Sequence, residues 1–85
     1  MPSNQTIKLE VISPEKVLFK GEVEMVELPG ANGRFQVLPD HAPLVSSLVK
    51  GELQMLKNKE HSSLSIESGF VEVKDNKVVV LAGSL

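Results

Sequence analysis

Leu28-Pro29-Gly30-Ala31-Asn32-Gly33-Arg34-Phe35-Gln36-Val37-Leu38-Pro39-Asp40-His41-Ala42-Pro43-Leu44 holds three prolines, two glycines and a histidine in seventeen residues. Proline fixes φ, and glycine opens dihedrals closed to other residues. Chain reversal alone does not need so much rigid punctuation. The stretch predicts a stiff, shaped surface carried between strands, the usual setting of a binding surface.

Outward from this block the pattern has period two. Ile7, Leu9 and Val11 alternate with Lys8, Glu10 and Ile12, and Val17 and Phe19 with Lys16, Leu18 and Lys20. Val71 and Val73 alternate with Glu72 and Lys74. This is the signature of half-buried strands. Val78-Val79-Val80-Leu81 is an unbroken apolar run and predicts a strand buried on both faces. Turn signals recur at Ser13-Pro14, Lys20-Gly21, Pro29-Gly30, Asn32-Gly33, Lys50-Gly51, Lys57-Asn58-Lys59 and Asp75-Asn76. Asp75-Asn76 suits a two-residue hairpin, since both residues tolerate positive φ. Ala42 to Leu48 has one helical repeat, Leu44 and Leu48, but follows Pro43 and contains Val45 and Val49, so it reads as a strand. The expected fold is all-β: an antiparallel β-sandwich of two packed sheets with about ten short strands. Its expected core is Ile7, Leu9, Val11, Phe19, Val26, Leu28, Phe35, Val37, Phe70, Val73 and Val80.

Composition narrows the function. Eighty-five residues make one small domain, expected over 1–85, with a modest core. The net charge of −2 argues against a nucleic-acid binder, and an aromatic content of 4%, all phenylalanine, leaves little for base stacking. There is no cysteine, and His41 and His61 stand far apart, so no metal site is expected. No apolar run reaches the length of a membrane span, and Met1-Pro2-Ser3-Asn4-Gln5 has no signal-peptide pattern. Without a secretory signal, the sequon Asn4-Gln5-Thr6 carries little weight.

Catalytic readings fail on pattern. His41 lies near Asp40, Ser46 and Ser47, but there is no Gly-x-Ser-x-Gly elbow, and neighbours in a strand point to opposite faces. Gly30-Ala31-Asn32-Gly33 has the spacing of a nucleic-acid-clamping loop, yet strands flank it and Arg34 is the only nearby cation; a β-turn needing glycine twice is the simpler reading. Glu22, Glu24 and Glu27 lack the loop that calcium needs and read as a solvated sheet face. The apolar character of Leu38, Ala42, Pro43, Leu44 and Val45 exceeds what one strand face needs, which suggests a partner contact. On these grounds the chain is a small β domain and a binding module.

The run Leu-Pro-Gly-x-x-Gly-x-Phe-x-Val-Leu-Pro-x-His-Ala-Pro-Leu resembles the signature of the epsilon subunit of F-type ATP synthases, called delta in mitochondria. Leu9-Glu10-Val11-Ile12-Ser13-Pro14-Glu15-Lys16, Phe19-Lys20-Gly21-Glu22-Val23 and Ser68-Gly69-Phe70-Val71-Glu72-Val73 extend the resemblance over roughly residues 7 to 82, in order and spacing. The resemblance implies a non-catalytic rotor subunit of the central stalk, without a cofactor, that clamps the gamma subunit to the c-ring. It implies a peripheral position on the cytoplasmic face of the bacterial inner membrane, reached only through the complex. Carried over by position, Gly33, Arg34 and Phe35 fall on the ring-facing loop. Ser13, His41, Ala42, Pro43 and Ser46 fall in the gamma-facing region. A free-standing β-sandwich adaptor for another protein is the alternative.

Three departures stand out. Arg34 replaces a frequent acidic residue, and is expected to pair with an acidic ring residue or with Asp40. Asp40 replaces a usual glycine and removes backbone freedom at that turn. Many members continue into a C-terminal helical hairpin, whereas this sequence stops at Ala82-Gly83-Ser84-Leu85, so no helical domain is expected.

Overall fold

The computed structural model describes residues 5–83; Asn4 of the sequon, the first residues and the last two lie outside them. Nine strands are described: β1 (Ile7–Ile12), β2 (Val17–Val23), β3 (Met25–Gly30), β4 (Gly33–Val37), β5 (Leu44–Leu48), β6 (Gly51–Lys57), β7 (Glu60–Ile66), β8 (Gly69–Lys74) and β9 (Lys77–Ala82). The stretch after Pro43 is strand, as its branched residues require.

Hydrogen bonding links the strands in the order β2-β1-β9-β8-β5-β3-β6-β7, with β4 beside β3. The expected two sheets are thus halves of one curled sheet. Its seam is thin: β3 and β5 share only the pair Gly30↔Leu48. Flanking bonds from Val49 N–H to the Pro29 carbonyl and from Ala31 N–H to the Ser47 carbonyl, both 2.9 Å, close that rung. The pairing is not wholly antiparallel either. β1 and β9 run parallel, Leu9 opposite Val78 and Val11 opposite Val80. Leu18 is an extra residue in β2, opposite the step from Val11 to Ile12, which bends this edge strand.

Period two decides the core. Ile7, Leu9 and Val11 of β1 face Val71, Val73, Val78 and Val80 of β8 and β9 on the inner side, and Val26, Leu28, Val37, Leu53 and Met55 come from the other half; all are at most 3% exposed. Among the described residues no polar or charged side chain is buried, so the core carries no desolvation cost. The phenylalanines depart from expectation. Phe19 and Phe35 are only partly buried, because both lie on edge strands. Phe70 is 57% exposed, because it shares the parity of Glu72 and Lys74 rather than that of Val71 and Val73. The valine run is likewise buried on one face only: Val78 and Val80 point in, and Leu81 is 52% exposed. Glu22 ends on β2 and accepts a 2.6 Å hydrogen bond from the Thr6 hydroxyl, and Glu24 lies at the bend between β2 and β3.

The turns follow their residues. Asp75 and Asn76 (φ 53° and 60°) and Asn58 and Lys59 (φ 52° and 66°) form two-residue hairpins with both positions left-handed.

Candidate protein-interaction surface

The proline-rich block splits into a hairpin and a loop. Between β3 and β4, Ala31-Asn32 make the turn and Gly33 follows at φ 122°, the pattern of a turn closed by a glycine bulge. The two glycines serve different needs. Gly33 supplies the dihedral. Gly30 supplies room, since a Cβ there would lie 2.7 Å from the Gly33 carbonyl oxygen and 2.8 Å from the Phe35 ring. Gly33, Arg34 and Phe35 therefore sit together at this turn and along the edge strand β4. Arg34 does not pair with Asp40. Its guanidinium reaches across β3, donating to the Glu52 carbonyl at 2.7 Å and to Glu27 at 3.4 Å. The sheet puts both acceptors within reach on neighbouring strands, whereas Asp40 lies at the far end.

The loop after β4 turns at Leu38-Pro39-Asp40-His41, with His41 N–H donating to the Leu38 carbonyl at 3.2 Å. Proline at the second position and positive φ at the third make this a type II pattern. Asp40 takes the left-handed conformation at φ 66° without glycine's freedom. Asn76 holds it there: Asp40 N–H donates to Asn76 Oδ1 at 2.6 Å, and Asn76 Nδ2 donates to Asp40 Oδ1 at 3.0 Å. The Asn76 carbonyl also accepts from Lys8 N–H at 2.9 Å, so one hairpin residue ties the loop to β1. His41 is half-buried beside the exposed Ala42 and Pro43, its Nδ1 hydrogen-bonded to the Ala42 carbonyl at 2.7 Å.

Ser13 closes the turn after β1, accepting from Lys16 N–H at 3.3 Å through its hydroxyl. Ser46 lies on β5 with the inward parity of Leu44 and Leu48, and its hydroxyl donates to the Ser47 carbonyl at 3.1 Å. The structure therefore does not gather Ser13, His41, Ala42, Pro43 and Ser46 into one cluster. Ser13 lies at the end of the sheet where Ile12, Leu81, Phe70 and Ser47 align, His41 to Pro43 lie at the Asn76 end, and Ser46 lies between. The His41 ring and the Ser46 hydroxyl each engage a backbone carbonyl, so they form no nucleophile–base pair.

The outer face of the β2-β1-β9-β8-β5 half is the most distinctive surface. Reading across the strands, one row is Ser47, Phe70, Leu81, Ile12 and Val17. The next is Val45, Glu72, Val79, Glu10 and Lys20, and one further on is Lys74, Lys77, Lys8 and Glu22. The first row is apolar and open, with Val17 54%, Phe70 57% and Leu81 52% exposed, and Val45 at 72% extends it. Ile12, Pro14, Ser47, Phe70 and Leu81 line a shallow groove of about 560 Å³ that Ser13 borders. Exposed branched and aromatic side chains in register mark a contact surface. Phe70 and Leu81 were missed as surface residues because they are apolar. The parity they share with Glu72 and Val79 was the available signal.

A family-wide sequence profile described as "ATP synthase, Delta/Epsilon chain, beta-sandwich domain" matches residues 6–85. The chain belongs to this family. The ATP synthase epsilon chain of Leptospira interrogans (serovar copenhageni) is 49% identical over 79 residues, which are 93% of this chain and 62% of that relative. The chain thus spans about three-fifths of that relative's length. The epsilon chain of Chlorobium limicola is 41% identical over 80 residues, 93% of this chain and 91% of its own length. A chain of the Euglena gracilis mitochondrial ATP synthase, in an assembly described as OSCP/F1/c-ring, superposes with a TM-score of 0.88 over 96% of this chain and 53% of that one. At 20% identity that likeness concerns the fold alone. Among the described residues no helix is long and apolar enough to cross a membrane.

Proposed function

We propose that this chain is a rotor subunit of the central stalk of a rotary ATP synthase, clamping the gamma subunit to the c-ring so that ion translocation drives ATP synthesis. It performs no catalysis and holds no cofactor. It meets the membrane only through the complex, on the cytoplasmic face of the bacterial inner membrane. The observation that carries the reading is family membership over nearly the whole chain. A stiff sheet with an open apolar row agrees with a part that transmits force through contact.

The ring contact is assigned to Gly33, Arg34 and Phe35, and the gamma contact to the region of Ser13, His41, Ala42, Pro43 and Ser46. Glu27 already engages Arg34, so the ring-facing turn offers shape and a partly neutralised cation rather than a free one. The test is co-purification with the gamma subunit encoded in the same genome. A stoichiometric complex weakened by His41→Glu supports the role and the assigned surface. Failure of the wild-type chain to bind gamma would remove the stalk reading.

A further inference from the structure

The outer face carries a second feature beside its apolar row. Lys8 and Lys77 are direct partners in the parallel pair β1/β9, and Lys77 and Lys74 are direct partners in the antiparallel pair β8/β9. Like charges set opposite each other across strands destabilise a sheet. None of the three makes an ion pair among the described residues: Lys20 takes Glu10 at 3.7 Å, and Thr6 binds Glu22. The chain as a whole is acidic, with net charge −2, so this row is a matter of placement and not of composition.

We propose that this face is a two-zone docking surface for an acidic amphipathic helix of the gamma-type partner. Its apolar side chains lie over Phe70 and Leu81, and its carboxylates lie over Lys74, Lys77 and Lys8. The proposal rests on the stalk reading and adds the chemistry of the contact. Ile12 and Lys8 are four residues apart on one strand, roughly 13 Å. A helix covers that distance in about nine residues, so the carboxylates stand about nine positions from the apolar anchor. A helix fits a sheet face because it satisfies its own backbone hydrogen bonds, whereas an extended segment laid flat would not. The row between the zones holds Glu72 and Val79 beside the Glu10–Lys20 pair, so the helix is polar but not acidic at its middle.

The test uses Lys77→Glu, which places a carboxylate between two lysines. In the isolated chain it relieves repulsion and raises Tm by roughly 1–5 °C. In the same protein it weakens gamma binding by about tenfold or more and flattens the salt dependence of Kd. Phe70→Ser weakens binding with the salt dependence intact. Opposite signs on stability and on binding would support the surface. If wild-type chain and gamma associate but neither variant changes Kd, the surface assignment fails while the stalk role stands. If wild-type chain and gamma do not associate, both fall. Binding to phosphatidylglycerol vesicles that Lys77→Glu abolishes, with gamma binding unchanged, would make the row a lipid contact and overturn the proposal.

Discussion

The two faces of β8 and β9 are equally apolar in places, yet they have opposite fates. On the inner face Val71, Val73, Val78 and Val80 are at most 2% exposed. On the outer face, between the same residues in sequence, Phe70 and Leu81 are more than half exposed. Hydropathy does not separate these sets; parity and what lies opposite do. The inner set meets the other half of the curled sheet and holds the fold. The outer set meets nothing in this chain and is available to a partner.

The sharpest way to break that comparison is on the inner face. Leu9 is 1% exposed in the middle of β1. Leu9→Ala is expected to cost about 2–5 kcal/mol from lost burial and the cavity left behind. A domain of this size holds only about 4–13 kcal/mol in total. Denaturant unfolding should therefore show a large loss of midpoint, and a small change would mean the inner layer repacks freely. Next comes the seam that lets the halves face each other. Gly30→Ala would drive a Cβ against backbone and the Phe35 ring and is expected to cost about 1–3 kcal/mol. Weakened amide protection at Ala31 and Val49, which make the seam's hydrogen bonds, would locate the damage.

Much of this arrangement is legible in the sequence, and the exceptions share one cause. Alternation gives β1 and β8, and positive-φ residues give the Asp75-Asn76 hairpin. The placement of Phe70 was misread because aromatic character was weighted above parity. Leu53, Met55 and Ile66 were passed over because polar residues surround them; once β6 and β7 pair, their inward parity buries them. The curl into one sheet and the parallel β1/β9 pair depend on contacts between distant residues, which local pattern does not encode. The same holds for Arg34: its sequence neighbour Asp40 looked like a partner, but the β3–β4 and β3–β6 registers bring Glu27 and Glu52 closer. For the candidate surface, the lysine row emerges only after three strands are set side by side.

At the lysine end, Asn76 tests whether the loop is held by its own turn or by the sheet. Asn76→Gly keeps the left-handed backbone but removes both side-chain hydrogen bonds to Asp40. The expected cost is about 0.5–1.5 kcal/mol, at the lower end because water reaches the freed groups. Hydrogen exchange at the Asp40 amide should quicken more than at its neighbours. Unchanged exchange would mean that Pro39 alone fixes the turn.

The smallest expected effect is the most informative. Phe70→Ser removes the largest side chain of the outer face, and a sequence-based view of the core would rank it among the most damaging changes. With Phe70 more than half exposed and none of the fully buried side chains drawn from its face, unfolding free energy should shift by no more than about 0.5 kcal/mol. Urea unfolding of the isolated chain measures this directly. A loss comparable to that of Leu9→Ala would show that the outer face holds the fold after all, and the division between a stabilising face and a binding face would collapse. A neutral result, set beside weakened gamma binding by the same variant, would mean that this aromatic side chain serves the contact and not the domain.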